Sequence, residues 1–173
     1  MTQQDRGGAP IIVTALMGAQ DQAWADSLRR AHFPPERNHL SAHITLFHHL
    51  PPSALDEITH RLKQMTAAPP PPARLTEVML LGRGVAFRIE SSALLEMRGE
   101  LADAFTGLLT PQDQAKPRLH ITVQNKVEPA TAKALAEQLR AEFRPRPIAI
   151  AGLAAWHYRG GPWELAKKAM FRG

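Results

Sequence analysis

The chain has 173 residues, is 44% hydrophobic and contains no cysteine, which excludes disulfides and thiolate metal sites. This length and apolar content suffice for the core of one domain. Basic residues are concentrated near the end, where residues 110–173 hold 11 Lys or Arg against 5 Asp or Glu. A basic C-terminal third favours an anionic ligand, with nucleic acid as the leading candidate. The polar start, and the lack of an apolar run of about 20 residues, predict a cytoplasmic protein that does not enter a membrane.

Strand and helix signals alternate along the first half of the chain. Short β-branched runs predict strands, and apolar residues spaced three and four positions apart predict helices. The order is strand, helix, strand, helix, strand, at residues 11–17, 21–31, 42–48, 53–66 and 74–81. A proline tract at 67–73 predicts a stiff extended connector before the last strand, because proline fixes φ and removes a backbone donor.

The second half repeats this order, at residues 85–90, 92–108, 118–124, 130–142 and 147–158. Gly82-Arg83-Gly84 joins the halves and predicts a hairpin. Residues 111–117 have the composition of a polar loop, and the tail from Trp163 to Phe171 has helical spacing. The repeated order indicates one domain, 1–173, built by internal duplication, with repeats of roughly 10–81 and 85–158.

A His-x-Thr pattern lies on the third element of each half, in His43-Ile44-Thr45-Leu46 and His120-Ile121-Thr122-Val123. Side chains alternate along a strand, so each histidine shares a face with the threonine two positions later. If the two strands lie close together, two imidazoles and two hydroxyls converge on one cleft. Such a cleft suits acid–base chemistry on a phosphate, because one imidazole can accept a proton while the other donates one.

The paired motifs in their duplicated frame resemble the 2H phosphoesterase superfamily, and within it the bacterial 2′-5′ RNA ligase-like branch. The resemblance implies an α+β fold of two lobes related by a pseudo-twofold axis, with antiparallel sheets lining a central groove and helices outside. It also implies hydrolysis of RNA 2′,3′-cyclic phosphodiesters, with reversible 2′-5′ ligation at the same site and no metal or other cofactor.

The resemblance further assigns catalytic roles to the motif residues. His120 would act as base toward water and His43 as acid toward the leaving ribose oxygen, while Thr45 and Thr122 hold phosphoryl oxygens. One departure concerns the second motif, which relatives often follow closely with an arginine; here the next residues are Gln124-Asn125-Lys126. The expected partner is an RNA end or nucleotide bearing a cyclic phosphate, and we expect a monomer.

Other residues are candidates for substrate binding. Arg118 shares the face of His120 and could contact phosphate, and Phe47 shares the face of His43 and could stack on a base. Arg83, in the glycine-rich turn, could reach the edge of the groove. Aromatic residues near the end of the chain could form a stacking platform for single-stranded RNA, namely Trp156, Tyr158 and Trp163.

The sequence leaves three alternatives open. The first is a metal site of imidazoles, although the candidates lack a recognised ligand spacing. The second is a non-catalytic RNA-binding module of the same fold. The third is a cyclic phosphodiesterase acting on a small nucleotide, because the motifs would contact only the phosphate. The candidate metal ligands are His39, His43, His48, His49 and His60.

Overall fold

The computed structural model describes residues 8–172, so residues 1–7 of the polar start lie outside the described part. The strands are β1 (Ile11–Met17), β2 (Ile44–Leu50), β3 (Arg74–Leu80), β4 (Val85–Glu90), β5 (His120–Gln124), β6 (Arg146–Pro147), β7 (Ile150–His157) and β8 (Glu164–Met170). The helices are α1 (Ala19–His32), α2 (Leu55–Met65), α3 (Ser92–Ala104), α4 (Pro111–Gln114) and α5 (Pro129–Glu142). The predicted order of elements is confirmed up to β7, except that the short helix α4 was not predicted and the strand predicted at 147–158 is divided into β6 and β7.

The strands form two four-stranded sheets in which all neighbours are antiparallel. The first sheet has the order β2-β1-β7-β8, and the second has the order β5-β4-β3-β6. Helices cover the sheets, with α2 packed on β7 and β8, and with α1 and α5 packed on the second sheet. The predicted α+β class with two antiparallel sheets is confirmed.

The two sheets do not follow the predicted division of the chain into repeats. β3 ends the first repeat but pairs with β4 in the second sheet, and β7 ends the second repeat but pairs with β1 in the first sheet. The motif strands β2 and β5 are each at an edge of their own sheet, and they contact one another. This contact brings the two His-x-Thr patterns to one boundary between the sheets.

The predicted hairpin is present between β3 and β4, and its turn needs a glycine. Gly82 has φ of +84°, a left-handed conformation that favours glycine, and the amide of Leu81 donates to the carbonyl of Gly84 at 2.8 Å. At Gly84 an added Cβ would overlap the carbonyl oxygen of Gln124, so the hairpin packs directly against the end of β5.

Two predictions about the second half are wrong. The tail, predicted helical, forms β8, which pairs with β7 along its length. Leu165, Ala166 and Ala169 match helical spacing, but the open edge of β7 offers a ladder of backbone hydrogen bonds that decides the conformation. The predicted loop at 111–117 contains the short helix α4, which begins after the capping hydroxyl of Thr110.

No helix among residues 8–172 has both the length and the apolar character needed to cross a membrane.

Candidate active site

The two motif histidines occupy matching positions at the starts of their strands. His43 lies one residue before β2 and His120 is the first residue of β5, and both side chains are half-buried. Ile44 and Ile121, the next residues, are fully buried, and Thr45 and Thr122 return to the half-buried side. The predicted alternation is therefore confirmed across the His-x-Thr part of both motifs.

Each imidazole is held by a carbonyl two positions before it. The Nδ1 atom of His43 lies 2.8 Å from the carbonyl oxygen of Ser41, and that of His120 lies 2.6 Å from the carbonyl oxygen of Arg118. A carbonyl can only accept, so Nδ1 must carry the proton in both rings. Nε2 is then the nitrogen left to react: it accepts a proton when the ring is neutral and donates one when the ring is charged.

The surroundings of His43 favour its neutral form. Burial lowers the pKa of His43 to about 4, assisted by the charges of Arg29, His120 and His48 and opposed by the hydrogen bond to the Ser41 carbonyl. His120 is among these charges because β2 and β5, which carry the two motifs, contact one another. His43 is therefore uncharged near neutral pH in the free protein.

A cavity of about 340 Å³ opens beside His43. The Trp163 ring lies against the imidazole with a centroid separation of 4.6 Å, and the Trp156 ring follows at 6.2 Å from Trp163. Trp156 is fixed by its Nε1, which donates to the buried hydroxyl of Thr14 at 2.9 Å. The lining residues are Thr14, Ala15, Leu16, Gln22, His39, Leu40, Ser41, Ala42, His43, Trp156, Pro162 and Trp163.

The other substrate-binding candidates lie outside this cavity. Tyr158 is 42% exposed and does not line it, although Trp156 of the same predicted platform does. Arg118 is exposed and contributes its carbonyl to His120. The Nε of Arg83 donates to the carbonyl of Val127 at 3.1 Å, which joins the hairpin to the loop after β5.

Phe47 cannot stack on a base, because its side chain is fully buried. The pairing of β1 with β2 shifts register between Val13, opposite Phe47, and Thr14, opposite Thr45. The extra residue, Leu46, forms a β-bulge, after which the alternation of faces reverses. Phe47 therefore points into the core, and its predicted role in stacking on a base is wrong.

A bulge occupies the equivalent place in the second motif. Val85 lies opposite Gln124 and Ala86 opposite Thr122, which leaves Val123 as the extra residue. Gln124 is buried as a result, where alternation alone predicts it on the face of His120. In both motifs the bulge therefore turns the residue four positions after the histidine, Phe47 or Gln124, into the core.

A buried carboxylate behind the first motif has no signal in the sequence. Asp113, on α4, is 1% exposed and accepts hydrogen bonds from the backbone amides of His48 and His49 at 2.9 and 2.8 Å. Its oxygen also lies 3.2 Å from Nδ1 of His48. Burial raises the pKa of Asp113, but these hydrogen bonds outweigh burial and lower the pKa overall. Asp113 therefore fixes the end of β2 that follows the bulge, at His48 and His49.

The histidines considered as metal ligands are not gathered into a metal site. Within residues 8–172, no three His, Asp or Glu side chains are close enough to share an ion. His48 is engaged by Asp113, and His43 by the Ser41 carbonyl. Among the described residues, these imidazoles therefore lie apart from one another and do not form a cluster of metal ligands.

Comparison with known proteins shows which family matches this chain. A model of the 2′-5′ RNA ligase superfamily matches residues 18–162. Among solved structures, TT0787 of Thermus thermophilus has a TM-score of 0.62 at 17% identity, covering 95% of this chain and 98% of that one. E. coli LigT complexed with 3′-AMP has a TM-score of 0.57 at 16% identity, covering 95% and 99%. A phosphoesterase has a TM-score of 0.60 at 16% identity, covering 95% and 99%.

Identities this low show a shared fold and nothing finer, and no protein of curated function matches the sequence. The family model, in contrast, spans most of the chain, including both His-x-Thr patterns. The chain therefore belongs to the 2′-5′ RNA ligase superfamily, the 2H phosphoesterases.

Proposed function

We propose that this protein opens 2′,3′-cyclic phosphate ends of RNA by acid–base catalysis with His43 and His120, and that the same site can join such an end to a ribose hydroxyl in a reversible 2′-5′ ligation. One observation carries the proposal: both imidazoles are held at Nδ1 by the carbonyl two residues before, which leaves a matched pair of Nε2 atoms on two contacting edge strands. A pair of this kind can accept one proton and donate another in the same reaction.

The reaction needs only water and these side chains. A neutral Nε2 takes a proton from water as the water oxygen bonds to phosphorus. The bond from phosphorus to one ribose oxygen breaks, and the other ring, charged, gives its Nε2 proton to that oxygen. The hydroxyls of Thr45 and Thr122 donate to the phosphoryl oxygens, which carry increased charge in the transition state. In ligation a ribose hydroxyl attacks phosphorus in place of water, and the two rings keep these roles. In the reverse reaction, cleavage of the 2′-5′ bond, the two rings exchange roles.

The protonation state of His43 provides a test of which histidine is the base and which is the acid. With its pKa lowered to about 4, His43 is neutral in the free protein, the form that a base requires. To serve as acid, as the resemblance implies, it must take up a proton as the phosphate binds, which a nearby anion favours. The pH dependence of kcat/KM reports the free enzyme. If His43 is the base, kcat/KM should fall as pH drops below about 4. If His43 is the acid, kcat/KM should fall as pH rises above about 4.

The cavity beside His43 supports a nucleotide substrate. Its volume of about 340 Å³ lies within the range of small-molecule sites, and two tryptophan rings supply faces on which a base can stack. The structural neighbour LigT has been solved with 3′-AMP, with ATP and with NADP+. A base stacked on Trp163 would leave its ribose phosphate next to the His43 ring.

The test uses an oligonucleotide that ends in a 2′,3′-cyclic phosphate, with the product identified by mass. We expect ring opening in EDTA, and a loss of about 100-fold or more in His43→Ala and in His120→Ala. His60→Ala is the matched control, because His60 is an exposed imidazole on α2, away from the motifs.

Each alternative predicts a different result in this assay. Wild-type rates in both motif variants would refute the two-histidine mechanism, and loss of activity in EDTA would favour a metal site. Tight, salt-sensitive RNA binding without ring opening would favour a binding module. Faster opening of a cyclic mononucleotide than of an oligonucleotide end would identify a small nucleotide as the substrate.

A further inference from the structure

Two arginines are buried beside the motif strands, and the proposed mechanism does not use them. Arg29, on α1, is 4% exposed, and Arg98, on α3, is 6% exposed. Within residues 8–172, neither forms an ion pair with a carboxylate. Burial lowers the pKa of both guanidinium groups, and the charges of Asp26 near Arg29 and of Asp113 near Arg98 oppose this only in part. Burying a charge is costly unless hydrogen bonds compensate, so these two guanidinium groups must be held by strong partners.

Each guanidinium donates to a backbone carbonyl of a motif strand and to one further partner, the Asn38 side chain for Arg29 and the Asp113 carbonyl for Arg98. Arg29 donates from Nη1 to the carbonyl of Thr122 at 2.9 Å, and Arg98 donates from Nε to the carbonyl of Leu46 at 3.1 Å. Each guanidinium also lies over a phenylalanine ring, at 4.2 Å from the centroid of Phe33 for Arg29 and at 4.3 Å from that of Phe47 for Arg98.

The two contacts are reciprocal between the repeats. Arg29 belongs to the first repeat and binds the motif strand of the second, whereas Arg98 belongs to the second repeat and binds the motif strand of the first. Both contacts fall at the bulges: Leu46 is itself the extra residue in β2, and Thr122 directly precedes the extra residue in β5. A bulge interrupts the ladder on an edge strand, so a side-chain donor there replaces a missing backbone partner.

Only Arg29 acts on both motifs. Its hydrogen bond fixes β5 at the threonine of the second motif, two residues after His120. Its charge is also among those that lower the pKa of His43, after burial as the main cause, and Arg98 is not among those charges. The second donor of Arg29, Nε, is fixed by the side chain of Asn38 at 3.1 Å, so the plane of the guanidinium is set on two sides.

We propose that Arg29 is a positioning residue of the two-histidine site: its guanidinium holds the second motif strand in place at Thr122, and its buried charge attracts a phosphodiester anion to the groove. The inference rests on the proposed function for the anion, while the bond and the charge are independent of it. Displacing one reacting group by about 1 Å can cost on the order of 100-fold in rate, so a strand fixed at the motif itself is a strong constraint.

The kinetic test compares Arg29→Lys and Arg29→Met, with Arg98→Met as the matched control. Lysine keeps the charge but cannot make two bonds in a fixed plane. We expect kcat on the cyclic-phosphate oligonucleotide to fall about tenfold or more in both Arg29 variants, with KM raised only in Arg29→Met. Arg98→Met removes the reciprocal bond to β2, so it should lower the melting temperature and kcat as Arg29→Met does, but with an unchanged KM.

A second readout does not depend on catalysis. The ring of His43 is followed by NMR as pH is varied, with its signals assigned from His43→Gln. Removing a positive charge raises the pKa of a neighbouring imidazole, so the titration should move to higher pH in Arg29→Met and stay in place in Arg29→Lys and Arg98→Met. The other ionisable groups near His43 are the same in all three proteins: His120, His48, His39 and Asp26, whose carboxylate binds the amide of Ala42. Inorganic phosphate should bind about tenfold more weakly to Arg29→Met than to Arg98→Met.

These readouts separate the two proposals. If the wild type does not open cyclic phosphates but Arg29→Met moves the His43 titration and weakens phosphate binding, the proposed function fails and the role of the charge stands. If Arg29→Met and Arg98→Met differ in neither titration nor phosphate affinity, Arg29 is a structural residue only and the inference is overturned. If Arg29→Met does not fold, Arg29→Lys decides: a wild-type kcat in that variant overturns the positioning role.

Discussion

Acid should destabilise this protein through His43, and the size of the effect follows from its environment. The pKa of this imidazole falls from its ordinary 6.5 to about 4 in the folded chain, mainly through burial. The unfolded chain therefore binds the proton more readily than the folded chain between these two values. Stability from this group is complete above pH 6.5 and is lost as pH falls from 6.5 to 4.

The expected loss is about 2 kcal/mol at pH 5 and about 3 kcal/mol at pH 4, from the two pKa values and their linkage to the free energy of unfolding. The assay is urea unfolding of the wild type and of His43→Gln at pH 7.5 and pH 5.0. At pH 5.0 few carboxylates have yet been protonated, and glutamine carries no titrating group. Relative to the wild type, His43→Gln should gain about 2 kcal/mol between the two pH values.

His60→Gln is the control, because this histidine is exposed on α2 and its replacement removes one imidazole without changing the groove. It should follow the wild type closely at both pH values. An equal stability difference between the wild type and His43→Gln at pH 7.5 and at pH 5.0 would refute the reasoning, since His43 would then be as accessible to protons when folded as when unfolded.

The remaining predictions concern anchoring, base binding and backbone space. Asp113→Asn should lower the free energy of unfolding by about 2 kcal/mol, because an amide replaces one of two buried acceptor oxygens with a donor; an unchanged urea midpoint would contradict this. Trp163→Ala should weaken 3′-AMP binding about tenfold in calorimetry while leaving inorganic phosphate binding unchanged, and an equal loss for both ligands would argue against base stacking. Gly84→Ala should lower the melting temperature, since its Cβ would overlap the Gln124 carbonyl, whereas Gly99→Ala, with open space in the middle of α3, should raise stability by about 1 kcal/mol; the opposite order would refute the close packing of the hairpin on β5.

Much of the fold could be predicted because the local signals agree with the final structure. Buried β-branched runs, the glycine turn at 82–84 and the alternation at Ile44 and Ile121 each depend on a few neighbouring residues. The repeat of His-x-Thr on the third element of each half indicated which two strands lie close together. Such signals are short-range, so they do not require knowledge of what packs against them.

The errors arise where distant partners decide the conformation. The tail at 164–170 has spacing that suits a helix, and only pairing with β7 makes it a strand. The bulge at Leu46 turned Phe47 from the groove into the core, and a bulge has no reliable signal in a single sequence. Arg29 was missed for a related reason, because a buried arginine is uncommon and becomes intelligible only when the Thr122 carbonyl is seen beside it.

The division of the sheets has a consequence for how the chain is made. The second sheet uses one continuous stretch, residues 74–147, whereas the first joins 11–50 to 150–170. During synthesis on the ribosome, β1 cannot pair with β7 until β7 has been made, since Val13 pairs with Ala155, 142 positions later. Long-range pairing of this kind forms slowly, and domains generally fold as units during synthesis. We expect a nascent chain to complete the sheet of His120 first, and a chain stopped before β7 to contain both histidines without a groove between them.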